Sequence, residues 1–206
     1  MDNTPIAICV IPEVMENFKN GDDSAGAVKT ARFVSINYMN YKTPTTGNKN
    51  IQDMYFGNYG VTIGNVKGGT DKTSYIGGKW NTQKCLDACT EENKDLTNGV
   101  ANKYYIGYCA PVCCCVAYST HGTKPGDWYL PMPGELYQIY ANKKVINEKR
   151  TALVGSGFSE NYCWSSREFS SDYEYIVGLT RGFITAPSDG KKDFERHVFG
   201  FLALEV

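Results

Sequence analysis

Polar and apolar positions along this chain follow two different periods, and the changes between them mark out its elements. The run IAICVIP at residues 6–12 predicts a strand stopped by Pro12, and the polar, glycine-rich ENFKNGDDSAGA after it predicts a mobile loop. In ARFVSINYMNY, Val34, Ile36 and Tyr38 alternate with Ser35 and Asn37, the period of a half-buried strand. KTPTTGNKN reads as a turn or loop, and MYFGNYGVTIGNVKGG as short strands cut by glycines.

The period then lengthens. NTQKCLDACTEENKDL predicts a helix that Asn81 or Thr82 caps, with Leu86 and Cys89 on one face and Cys85 beside them. YYIGYCAPVCCCVAYST is apolar and aromatic, long enough for one or two buried segments that Pro111 divides. In GDWYLPMPGELYQIYANKKVINEKRTAL, Pro133 suits a first helical position, where its missing N–H costs nothing. Glu135 puts negative charge at the positive helix end, and Leu136, Ile139 and Tyr140 form one apolar stripe. Asn147 can cap a second short helix that runs to about Leu153. From Cys163 to the end the chain reads as strands and turns. Tyr173, Tyr175, Val177 and Leu179 alternate there with Glu174, Ile176, Gly178 and Thr180, and HVFGFLALEV forms a terminal buried strand. Strands, helices and strands again predict an α+β fold whose two chain ends meet in one sheet.

Composition narrows the function classes. The 206 residues fit one domain, or one domain with an extension, large enough to bury a core without staples. A net charge of -1 offers no field for nucleic-acid phosphates. No stretch is apolar for long enough to cross a bilayer, and residues 6–12 are too short, and lack the basic flank, for a signal peptide. The chain is therefore expected to carry no export signal. Eight cysteines with no such signal predict free buried thiols, ahead of disulfides and of a zinc site. Cys85 and Cys89 share a helical face, as in some metal sites, but three adjacent cysteines space ligands poorly if they lie on a strand. No cofactor and no metal are expected.

Catalytic patterns are missing as well. There are two histidines, His121 in a turn-like loop and His197. The sequence has no Gly-x-Ser-x-Gly elbow, HExxH helix or P-loop. Ser165 and Ser166 have no base nearby in sequence and read as turn hydrogen bonders behind Trp164. PSDGKKD is acidic enough to suggest calcium, yet it holds two lysines and reads as solvated loop. The chain is expected not to be an enzyme.

Four segments in order, NTQKCLDAC, GDWYLPMPGELYQIYANKKVINEKRTAL, YCWSSREFSSDYEYIVGL and HVFGFLAL, carry a resemblance. Together they resemble C-type-lectin-like domains of the bacterial and phage kind, nearest to the variable proteins diversified by retroelements in gut Bacteroides phages. Two positions depart from the pattern: Arg167 stands where the family has Thr, and Phe199 stands near the family's terminal Arg, with Arg196 just upstream. The resemblance implies an N-terminal strand and extension over residues 1–30 and a lectin-like domain over 31–206, with small antiparallel sheets, two main helices and long loops.

It also implies a variable region at about 156–200. There Trp164, Ser165, Ser166 and Glu168 are framework, and outward residues bind a ligand. The candidates are Arg167, Phe169, Ser170, Asp172, Tyr173, Tyr175, Gly178, Thr180, Arg181 and Phe183. Tyr, Ser and Arg suit such a surface because they give contact area and adaptable hydrogen bonds at low ordering cost. Tyr173 and Tyr175 share a face with Val177 and Leu179, so core packing competes for them. The implied role is a virion-borne receptor-binding module, made in the host cytoplasm, or otherwise one held at the bacterial cell surface through a partner. Its expected partners are a bacterial surface protein or glycan, other virion proteins and its own copies in a trimer. Neither nucleic-acid binding nor membrane insertion is expected. The alternative is a head or tail decoration protein in which residues 104–118 face a neighbouring subunit.

Overall fold

The structure is a computed structural model that describes residues 6–16, 28–39, 41–42, 50–51, 53–89, 109–158 and 162–206. It is an α+β fold with four helices and three sheets among these residues. The loop expected at residues 17–27 and most of KTPTTGNKN lie outside the described residues.

The first sheet joins the two ends of the chain, as the terminal hydrophobic runs predicted. β1 (Ala7–Glu16) pairs with β2 (Val28–Ser35), β2 pairs with β11 (Phe201–Glu205), and β11 pairs with the short β6 (Trp128–Tyr129), all antiparallel. β1 does not stop at Pro12. It continues past it as the outermost strand in the sheet order, with register shifts on either side of Ile11. A strand tolerates proline at such an edge and at a bulge, where its missing N–H is not needed. β2, by contrast, is sealed rather than half-exposed: Ala31, Arg32, Val34 and Ser35 are all buried. Both of its faces are packed, Phe33 against the apolar cluster that holds Trp128 and Val34 within the one that holds Phe201.

The second sheet has the order β5 (Asp53–Met54), β10 (Arg196–His197), β7 (Tyr162–Ser170), β8 (Tyr173–Gly178), β9 (Phe183–Thr185). Its pairings are antiparallel except that β10 runs parallel to β7 through His197 and Cys163. A two-stranded sheet of β3 (Tyr41–Lys42) and β4 (Asn50–Ile51) completes the set. The short strands expected after Met54 do not form. Residues 55–77 are irregular chain, and the backbone N–H groups of Ile63, Gly64 and Lys67 donate to side chains of the second sheet and the first helix.

α1 (Gly78–Asp87) starts earlier than expected. Asn81 lies inside it and does not cap it. Its side chain is buried and clamps the backbone of Lys67, accepting from the Lys67 N–H at 2.9 Å and donating to the carbonyl at 3.0 Å. α2 (Ala110–Ala117) turns the cysteine run into a helix, with Pro111 in the first turn. The strand geometry considered for that run therefore does not apply.

α3 (Pro133–Ala141) begins where Pro133 predicted, and buries Leu136 and Ile139 while Tyr140 is half-buried. Gly134 makes room for this helix start: a Cβ there would sit 2.4 Å from the Ser74 carbonyl oxygen. α4 (Lys143–Val154) has Asn142, not Asn147, before its first residue. Asn147 instead accepts the Phe158 N–H at 2.8 Å from within the helix.

One buried ion pair ties these layers together. Arg32 on β2 donates from Nε to Glu135 at 2.8 Å, and the same carboxylate accepts the Tyr129 hydroxyl at 2.5 Å and the Met132 N–H at 2.8 Å. Glu135 thus caps α3, as its position predicted, and also fixes that helix to the central strand. The remaining interior divides in two. One cluster, around Trp128, Trp164, Phe56 and the cysteines of α1 and α2, lies on one side of the second sheet. The other, around Leu136, Ile139, Val177, Phe199 and Phe201, lies on the other side. Phe199, at the departure from the family pattern, is fully buried and packs against Tyr38 and Phe158.

Candidate functional site

The β7–β8 hairpin, the turn that follows it and β9 carry all ten candidate residues, and β7 is buried without a break from Cys163 to Ser166. Trp164 is fully buried and donates from its indole to the Met54 carbonyl at 2.7 Å. Ser165 donates to the Tyr175 carbonyl at 2.7 Å, and Ser166 lies against the Met132 sulfur. The expected framework residues Trp164, Ser165, Ser166 and Glu168 are all buried. Ser165 ties β7 to β8, Ser166 ties β7 to the chain before α3, and neither has a titratable base among these partners.

Beneath the hairpin lies an ionic cluster that the sequence did not announce. Lys192, in the segment expected to be solvated loop, is fully buried. Its ammonium lies 2.8 Å from Glu168 and 3.8 Å from Glu174, and donates to the Val61 carbonyl at 3.0 Å. Glu168 also accepts the N–H groups of Ile63 at 2.9 Å and Gly64 at 2.7 Å, which pins the irregular loop to β7. Asn65 donates to the Ser166 carbonyl at 2.9 Å and lies 3.3 Å from both Glu174 oxygens. Burial pushes the Glu174 carboxyl up to about 8, against the opposing pull of Lys192 and with a further push from Glu168. Glu174 therefore points into the protein, and its neighbours Tyr173 and Tyr175 take the opposite face of β8.

The candidates gather at the two ends of the hairpin and do not form one surface. At the turn, Phe169 is 49% exposed, with its ring 6.5 Å from that of Tyr173 and 5.6 Å from that of Tyr175, both edge to face. Ser170 and Asp172 sit in the turn itself, where the Asp172 N–H donates to the Ser170 hydroxyl at 3.3 Å. At the far end, Gly178, Thr180, Arg181 and Phe183 line a shallow cavity of about 320 Å³ together with Tyr162. Arg181 is exposed, and Thr180 and Phe183 are half-buried.

Gly178 does not face outward as expected; it is buried. It pairs with both Tyr162 and Phe183, and the rings of those two meet across it at 5.5 Å. Tyr162 was not among the candidates, and its place opposite a glycine in the pairing is what brings it to the cavity. Arg167 lies between the two groups. It is half-buried, with Nε and Nη1 closed off and without a hydrogen-bond partner, and its charge acts on Glu174.

Other chemistry can be located just as directly. His121 is exposed and His197 is buried, its ring edge-on to Tyr38 at 4.6 Å. Among the described residues, no group of three or more His, Cys, Asp or Glu side chains is placed to hold a metal ion. None of the described helices is long and apolar enough to cross a membrane.

No family model matches the chain, and no curated protein matches it. A solved structure with some likeness is a fimbrial protein from Bacteroides ovatus, at 12% identity and a TM-score of 0.48. The alignment covers 98% of this chain and 46% of that protein, so the chain spans less than half of its length.

Proposed function

We propose that this chain is a non-enzymatic binding module of the C-type-lectin-like kind, with the outer residues of β7, β8 and β9 as its contact surface. Support for the fold reading comes from the sheet that joins both chain ends, the long irregular loop of residues 55–77 laid against a second sheet, and the inward-facing Trp164, Ser165, Ser166 and Glu168.

The observation that carries the binding reading is the Phe169, Tyr173 and Tyr175 patch above the sealed Lys192–Glu168–Glu174 cluster. Aromatic groups held on a fixed backbone provide contact area with little ordering cost on binding. The proposed partner is a bacterial surface protein or glycan, reached from a virion on which multiple copies compensate for a weak single contact. Diversification of residues at about 156–200 belongs to the same proposal.

The decoration alternative needed residues 104–118 to face another subunit. The described part of that segment contributes Cys109 and residues of α2 to the chain's own core, so no observation favours it.

Adsorption of the labelled chain to a panel of bacterial cells tests the reading. Phe169→Ser with Tyr173→Ser and Tyr175→Ser is one variant, and Arg181→Ala with Phe183→Ala is the other. Loss of adsorption in either, with an unchanged circular dichroism spectrum, supports a contact surface at that end of the hairpin. Unchanged adsorption in both removes the hairpin from the binding surface.

A further inference from the structure

Two helices bring four of the eight cysteines together, independently of the hairpin. Cys85 lies on α1 and Cys89 just past its end, while Cys109 precedes α2 and Cys113 lies within it. The Cys89 and Cys113 sulfurs are 4.0 Å apart, on residues separated by 24 positions. Cys109 touches the thiols of Cys85 and Cys89, and its sulfur also accepts the Asn58 amide at 3.1 Å. The other four cysteines are committed elsewhere or isolated. Cys9 is exposed on β1, Cys163 packs in the second core cluster, the Cys115 thiol lies 3.8 Å from the Phe199 carbonyl, and Cys114 is buried on its own side of α2.

We propose that Cys89 and Cys113 form a disulfide when the chain folds in the presence of a disulfide donor, stapling the end of α1 to α2. The sulfurs must close from 4.0 Å to about 2 Å. Cys113 is preferred over Cys109 as the partner. The fold brings the Cys113 sulfur to 4.0 Å from that of Cys89, whereas the Cys109 sulfur is held by the Asn58 amide.

The chemistry is two thiol–disulfide exchanges. The Cys89 thiolate attacks the donor disulfide, giving a mixed disulfide and releasing one donor thiol. The Cys113 thiolate then attacks the Cys89 sulfur, forming the bridge and releasing the second donor thiol. The protein loses two protons and two electrons, and the donor gains them. In the finished fold, contact with Cys89 and burial push the Cys113 thiol far up, which leaves it a poor nucleophile. Exchange therefore belongs to folding, before α1 and α2 close over the pair.

Refolding the reduced full chain in a buffer of reduced and oxidised glutathione, followed by peptide mapping without reductant, tests this. The expected result is a linked pair of peptides carrying Cys89 and Cys113, two hydrogens lighter than the separate peptides. Reductant is expected to lower the melting midpoint of the refolded chain by roughly 10 °C, from the loop-closure scale for a 24-residue separation. A Cys89→Ser, Cys113→Ser chain is expected to melt at one temperature with or without reductant. Full alkylation of both cysteines after refolding overturns the proposal, as does a bridge that maps to Cys85 or Cys109. Because the map is made on the unaltered chain, the result does not depend on whether the double variant folds.

Discussion

The Lys192 ammonium lies 2.8 Å from the Glu168 carboxylate, and both side chains are closed to solvent. Glu168 is a strand residue that also binds two backbone N–H groups of the irregular loop, so one lysine connects three separate stretches of chain. A charge pair taken out of water gains little over an apolar replacement, but removing one partner leaves the other charge stranded.

Lys192→Met is accordingly expected to cost about 3–5 kcal/mol of folding stability, read from urea unfolding. Adding Glu168→Gln to that variant removes the stranded charge and should return part of the loss. Equal midpoints for Lys192→Met and the unaltered chain would mean that this ion pair does not hold the three stretches together.

Glu174 gives the cluster a pH dependence of definite sign. Its folded carboxyl titrates near 8, above its ordinary 4.5, because it is buried, with Glu168 adding repulsion and Lys192, Asn65 and Arg167 partly offsetting it. The folded chain therefore binds more protons than the unfolded chain between these values, and stability falls as pH rises through that window. Urea midpoints should be higher near pH 5 than near pH 8.5, and Glu174→Gln should flatten that part of the difference. A midpoint in Glu174→Gln that falls just as far would assign the slope to other groups.

Glu135 is the corresponding point in the first sheet. Its carboxylate neutralises Arg32, receives the Tyr129 hydroxyl and caps α3 through the Met132 N–H. Glu135→Ala is expected to cost about 3–5 kcal/mol, since it strands a buried guanidinium and also uncaps a helix. Arg32→Met combined with Glu135→Leu should be less harmful than Glu135→Ala alone, and thermal unfolding of the two variants makes the comparison.

What the sequence disclosed and what it hid follow from how local each cause is. Pro133 and Glu135 set the start of α3 within a few residues of themselves, and both were legible. The inward set of Trp164, Ser165, Ser166 and Glu168 was legible through the motif they share. The burial of Lys192 was not, because PSDGKKD is polar throughout and the carboxylates that draw it inside lie 18 and 24 positions away. The cysteine run could be helix or strand on its pattern alone, since a short apolar stretch has no period to read. The face of β8 was ambiguous for a related reason. Tyr173 and Tyr175 look like core beside Glu174, and only the buried ammonium reverses that preference. The resemblance implies an outward Gly178, yet the rings of its two pairing partners, Tyr162 and Phe183, meet across it.

Phe169 and Gly178 mark the two extremes among the candidate positions, and their substitution separates display from scaffold. Phe169 is 49% exposed and its ring meets two tyrosine rings edge to face, so Phe169→Ser is expected to cost less than about 1 kcal/mol, the scale of a cross-strand aromatic pair. At Gly178 an added Cβ would lie 2.9 Å from two carbons of the Phe183 ring. That ring would have to move away from Tyr162, and Gly178→Ala is expected to cost about 1–3 kcal/mol, the scale of an overpacked interior. Paired urea curves give both numbers. If Gly178→Ala is as mild as Phe169→Ser, the far end of the hairpin is as free to vary as the turn. The cavity between Tyr162 and Phe183 is then as adaptable a contact surface as the aromatic patch.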